Sequence, residues 1–230
     1  MSVAKLDTRE LILFDLDGTL VDSAADLYRA MNMSLNALQL PMVTEAQVRT
    51  WIGKGTSVFC HSTLLHLTGE VHPDQHQQLL ETFLGIYNAD PCLDTQPFAG
   101  ILEFLEWGKQ QQKKMICVTN KPELPSRAIL DELDMSHYFV DVIGGDRFSE
   151  RKPHPRQLLH CVDTFGVEKS QVLMIGDSSN DVEAARRAGI DCIVVSYGYN
   201  HGESIYDCQP QQVIDSLAEL VDEDQVRRRA

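Results

Sequence analysis

The 230-residue chain is 43% hydrophobic, enough for one full core and a smaller satellite domain and well outside the range of disordered chains. Its formal charge of −14 argues against nucleic acid as a partner, because phosphates need a basic face to displace their counterions. The start carries Lys5, Asp7, Arg9 and Glu10 ahead of only a four-residue apolar run, which fits neither a signal peptide nor a membrane span; a soluble cytoplasmic protein with no membrane partner is expected. Six cysteines (Cys60, Cys92, Cys117, Cys161, Cys192, Cys208) contain no Cys-x-x-Cys pair and are expected to be free thiols without structural zinc. The Arg227-Arg228-Arg229 run reads as a solvated tail.

In chain order, short apolar runs rich in Val and Ile recur at 11–14, 115–118, 140–143, 172–175 and 190–195, each too short for a helix and each read as a buried strand. Helical spacing falls between them: Leu102 and Leu105; Leu130 and Leu133; Leu158, Leu159, Val162 and Phe165; Val182, Ala185 and Ala188, ending at Gly189; and Val213, Leu217 and Leu220, closing the chain. Alternation of strand and helix predicts an α/β fold, a Rossmann-like parallel sheet with helices on both faces. The first two strands lie about a hundred residues apart, far more than a crossover needs. Helical stretches at 22–40, 44–59 and 75–87 fill that interval, so a small inserted α-helical domain is expected over 23–94, the α/β core being 1–22 and 95–230. The Gln110-Gln111-Gln112 run reads as a surface turn at a helix end.

Asp15-Leu16-Asp17-Gly18-Thr19 directly follows the first strand, where open α/β sheets bind ligands, and two acids two residues apart beside Gly18 can meet one cation. Gly176-Asp177-Ser178-Ser179-Asn180-Asp181 brings another acid to the same edge. Asp177 is a candidate metal ligand there, while for Asp181 a site role and a helix N-cap remain equally open. Thr119-Asn120 ends a strand and offers a hydroxyl and an amide to phosphate oxygens. Lys152, before Pro153, can offset crowded negative charge. His72 and His76 have metal-pair spacing but read as an exposed helix start, and Trp51 and Phe59 read as packing rather than substrate stacking. Together, four strand ends deliver a nucleophile, a metal site, phosphate donors and a cation, the parts that phosphoryl transfer requires.

On these motifs the sequence resembles the haloacid dehalogenase superfamily over essentially the whole chain, including a helical cap after the first motif. The resemblance implies that Asp15 attacks phosphorus. Asp17 would protonate the leaving oxygen and then activate water against the aspartyl-phosphate. It implies magnesium held by Asp15, the main-chain carbonyl of Asp17 and Asp177, with Thr119, Asn120 and Lys152 on the phosphate and Gly18 and Asp181 supporting. Within the superfamily the chain is similar to the phosphoglycolate phosphatases through Val48-x-x-Trp51-Ile52-Gly53-Lys54-Gly55 and Gly176-Asp177-Ser178-x-Asn180-Asp181. Gly53-Lys54-Gly55 would let Lys54 reach from the cap to a substrate carboxylate, although a plain surface loop fits the same residues.

The expected activity is hydrolysis of a small phosphorylated metabolite, 2-phosphoglycolate first, by a monomer or homodimer. The rival readings are a β-phosphoglucomutase-like phosphosugar mutase, a broad sugar-phosphate or nucleotide phosphatase, and a non-catalytic regulatory protein on the same scaffold.

Overall fold

A computed structural model describes residues 6–221; the Arg227-Arg228-Arg229 run lies outside them. Leu11–Phe14 forms β1, a strand buried on both faces that admits only apolar side chains. It pairs in parallel with β4 (Lys114–Val118) on one side and β6 (Val172–Gly176) on the other. Beyond these lie β5 (Asp141–Ile143), β7 (Asp191–Val195) and β8 (Gln212–Ile214), giving the order β5-β4-β1-β6-β7-β8, with every pairing parallel.

The period of two sorts the strand side chains cleanly. Ile12, Phe14, Met115, Cys117, Leu173 and Ile175 join one cluster with α5 (Ile101–Gln110) and α6 (Glu123–Glu132). Leu11, Leu13, Ile116, Val118 and Met174 join the opposite cluster with α7 (Arg156–Phe165) and α8 (Ser179–Ala188). The chain steps from β1 to β4 and β5 and then back across to β6. The carboxyl ends of β1, β4 and β6 therefore flank the crevice where the strand order reverses.

Between β2 (Val21–Asp22) and β3 (Gln96–Pro97), which pair antiparallel, the chain makes four helices: α1 (Ala24–Ala37), α2 (Glu45–Trp51), α3 (Thr56–Thr68) and α4 (Pro73–Ala89). They share a third cluster that includes Leu27, Met31, Val48, Phe59, Leu79 and Phe83. Buried Asp26 of α1 ties down the returning strand of chain, accepting from the Asp94 and Thr95 amides and the Thr95 hydroxyl at 2.7–2.9 Å.

Three expectations are corrected. The 44–59 segment starts as expected, with a Thr44/Gln47 capping box, but breaks after Trp51 because Gly53 and Gly55 take φ of 102° and 89°, outside any right-handed helix. The helix that resumes at Thr56 runs on to Thr68. Val213 belongs to strand β8 rather than to a closing helix, since pairing with β7 satisfies its backbone; Leu217 and Leu220 pack beneath the first face. The N-cap of α8 is Ser178, and Asp181 is its capping-box partner at the third helical position.

Candidate active site

Asp15 continues the β1 ladder, its amide donating to the Ile175 carbonyl, so its buried carboxylate emerges at the edge of the sheet between β4 and β6. Its Oδ1 accepts from the Leu16 amide at 2.7 Å and lies 3.0 Å from Lys152 Nζ. Gly18, with φ of 87°, turns the chain directly over Asp177: a β-carbon there would come within 2.2 Å of the Asp177 carboxylate, so no other residue fits. Asp177, at the end of β6, accepts from the Thr19 hydroxyl at 3.2 Å and the Tyr199 amide at 2.8 Å.

Lys152 Nζ donates to the Val118 carbonyl and to Asp181 Oδ1 at 2.7 Å each and forms an ion pair with Asp15 at 3.0 Å. Asp181 Oδ2 accepts from the Ser178 hydroxyl and amide at 2.7 and 3.1 Å. Asp181 thus serves the site and the helix start together. Carboxylate oxygens of Asp15, Asp177 and Asp181 lie within 4.8 Å of one another, all buried. Burial pushes Asp15 up to about 6 against the pull of Lys152, and burial followed by the Asp181 and Asp15 charges holds Asp177 well above the usual carboxylate range. Burial works to neutralise Lys152, but Asp15 and Asp181 outweigh it and raise its pKa. Three buried acids facing one lysine, with only hard oxygen donors, fit a divalent cation such as magnesium.

Above this cluster is a cavity of about 40 Å³, room for roughly three waters at about 10–15 Å³ each. Asp15, Asp17, Thr119, Asn120 and Lys121 line its floor, and Leu27, Phe59, Phe83 and Tyr87 from the inserted helices line its wall. Phe59 therefore both packs, edge to face on Phe83 at 5.4 Å, and borders the cavity, whereas Trp51 is half-buried and leans on His66. Asp17 accepts from the Ser23 hydroxyl and from Lys121 Nζ, which reaches Oδ1 at 2.8 Å and Oδ2 at 2.9 Å.

Thr119 lies at the floor with its hydroxyl accepting from the Lys121 amide at 3.2 Å. Both side-chain amide hydrogens of Asn120 are engaged, on the carbonyls of Gly53 at 2.9 Å and Lys152 at 2.8 Å. Asn180 also donates to the Gly53 carbonyl, at 3.2 Å, so two core asparagines grip one carbonyl of the α2–α3 turn. Lys54 is exposed and is not among the residues lining the cavity, although Gly53 and Gly55 on either side are. His72 is exposed at the start of α4, and His76 meets the Ser57 carbonyl at 2.9 Å.

Sequence reasoning gave no site role to Lys121, Ser23, Tyr87 or Asn180, the last appearing only as part of its motif. Lys121 was within reach, as the residue after Thr119-Asn120 at a strand end. Ser23 holds an N-cap position yet makes no cap, and Tyr87 is indistinguishable from core by its helical spacing.

Among curated proteins, the phosphoglycolate phosphatase of Nitrosococcus oceani is 42% identical over 212 residues, covering 92% of this chain and 94% of that protein. That of Vibrio parahaemolyticus is 39% identical over 93% and 95%. The crystal structure of a predicted phosphoglycolate phosphatase from Haemophilus somnus superposes with a TM-score of 0.89 at 33% identity, covering 94% of this chain and 98% of that one. A family model described as haloacid dehalogenase-like hydrolase matches residues 12–195, a span that holds every buried acid and lysine of the site. With that match, and with Asp15, Thr119, Lys152 and Asp177 gathered at one sheet edge, the chain belongs to the haloacid dehalogenase-like hydrolases.

Proposed function

We propose that this hydrolase cleaves small phosphoric monoesters, 2-phosphoglycolate foremost, to the alcohol and inorganic phosphate through an aspartyl-phosphate on Asp15. The observation that carries the reading is the division of labour between two acids of one turn. Asp15 lies in the acid cluster against Lys152, and Asp17 faces the cavity held by Ser23 and Lys121. Relatives across nearly the whole length carry the phosphoglycolate phosphatase name, which supports the choice of substrate.

Asp15 attacks phosphorus in line with the ester oxygen, and the phosphorus–oxygen bond to the alcohol breaks as Asp17 gives that oxygen its proton. Asp17 then takes a proton from water, whose oxygen attacks the same phosphorus and frees Asp15 and phosphate. The Thr119 hydroxyl and the Asn120 main-chain N–H bind non-bridging oxygens, and Lys152 keeps Asp15 oriented. A magnesium ion, held by Asp15, Asp177 and the Asp17 carbonyl, would supply the positive charge that lets a carboxylate approach a phosphate dianion. The inserted helices act as a cap that excludes water when seated on the core.

The test is phosphate release from a panel of metabolites, 2-phosphoglycolate included, with magnesium and with chelator. Preference for 2-phosphoglycolate that disappears on chelation is expected. Equal release from sugar phosphates and nucleotides would overturn the substrate. Release that requires a sugar bisphosphate primer would make the enzyme a mutase.

A further inference from the structure

Among the described residues that line the cavity, Asp15 and Asp17 are acids and Lys121 is the one cation, in a chain of net charge −14. Its side chain is 5% exposed, and its ammonium sits 4.8 Å from the centroid of the Tyr87 ring, which burial keeps in a fixed wall. Two of its three donors fall on the two oxygens of one carboxylate, Asp17, and the third is directed to the aromatic side. The Tyr87 hydroxyl, next to it, has no hydrogen-bond partner of good geometry. A buried hydroxyl with unspent bonding capacity beside a buried ammonium points to a ligand with an anionic end.

We propose that Lys121 is the specificity-determining cation: it reads a second anionic group on the leaving alcohol, such as a carboxylate one or two carbons from the ester oxygen. This rests on the phosphomonoesterase reading above. Asp17 serves the leaving oxygen in that reading, so a lysine bonded to Asp17 is adjacent to the alcohol and not to the transferring phosphoryl group. A carboxylate arriving there finds an ammonium already desolvated and held by Asp17 and Tyr87. It needs only one donor to swing from the doubly served Asp17. A neutral alcohol gains nothing from that exchange and leaves the Lys121–Asp17 pair intact. Lys54, exposed and outside the lining, is not placed for this role.

The experiment compares kcat and KM for 2-phosphoglycolate and for 2-hydroxyethyl phosphate, its counterpart with a hydroxyl in place of the carboxylate, in the wild type, Lys121→Met, Lys121→Arg and Lys54→Ala. Lys121→Met is expected to raise KM for 2-phosphoglycolate about 10- to 100-fold, the worth of one charge-assisted hydrogen bond. KM for 2-hydroxyethyl phosphate should change less than about 3-fold, with kcat lowered alike for both through Asp17, and Lys121→Arg should recover part of the preference. A preference that survives Lys121→Met, or that is lost in Lys54→Ala instead, overturns the inference alone. No preference in the wild type overturns the substrate reading and this inference with it. Should Lys121→Met not fold, a crystal structure of the wild type with 3-phosphonopropionate decides. Lys121 Nζ within about 3 Å of the carboxylate supports the assignment, and a carboxylate seated on any other cation refutes it.

Discussion

In the proposed reaction Asp15 carries the chemistry while working against the fold. Its carboxylate is buried with Asp177 and Asp181 within 4.8 Å, and burial raises its pKa to about 6, so its charged form is held at a cost. Asp15→Asn keeps the shape, removes one of three crowded negative charges and leaves Lys152 paired with Asp181. Phosphate release should fall at least about 10⁴-fold, as when a nucleophile is lost, while Tm stays level or rises. A variant that is inactive because it has melted would refute this, and thermal unfolding beside the activity assay separates the two. At this scale Asp15 and Asp177 were legible from sequence because each directly follows a buried strand. Lys121 and Lys54 show the limit. A lysine between two glycines advertises reach, yet Lys54 is exposed, whereas Lys121 becomes the cavity's cation only because α4 brings Tyr87 over the end of β4. That juxtaposition joins residues far apart in the chain and leaves no local trace.

Among the elements, the turn between α2 and α3 ties the inserted helices to the core. Its Gly53 carbonyl accepts from Asn120 and Asn180, and Gly53 itself holds φ of 102° with His201 Cε1 3.0 Å from where a β-carbon would lie. Gly53→Ala therefore combines an unfavourable backbone with a close contact. It should destabilise the protein by about 1–3 kcal/mol and weaken the grip of the two asparagines. If that grip seats the proposed cap, KM rises for every substrate alike, unlike the selective effect of Lys121→Met; kinetics with the two phosphate esters distinguish them. Much of the element map was readable: the five strands of Val and Ile runs, and the helices whose apolar residues keep to one side. The misses share a cause. Strand β8 is three residues long, too short to display a period, and α3 mixes apolar and polar side chains around its whole circumference because it packs on α2 and α4 and also borders the cavity. Only the chain reversal at Gly53 and Gly55, invisible to periodicity, separates α2 from α3.

For the molecule as a whole, the acid cluster predicts that a divalent cation and pH act on stability together. Asp15 titrates at about 6 when folded against 3.8 as its ordinary value, and Asp177 is also raised, so between about pH 4 and 6 the folded chain holds protons that the unfolded chain has released. Unfolding then releases protons, and the stabilising contribution of Asp15, full below about pH 4, is lost as pH rises through about 6, with Asp177 acting in the same direction. A bound cation reverses the balance, because it favours the ionised carboxylates and can bind only as they give up their protons. Magnesium should accordingly raise Tm little at pH 5 and markedly at pH 7.5, and mixing enzyme with magnesium near pH 6 should release protons. Carboxylates whose pKa values are lowered, such as Asp22, Asp26 and Asp191, tilt the pH profile in the opposite sense, but they contribute equally with and without magnesium. The difference in Tm between magnesium and chelator at each pH therefore isolates the cluster. A magnesium shift of equal size at pH 5 and 7.5 would mean that the cation binds away from Asp15 and Asp177, and the proposed catalytic arrangement would fail with it.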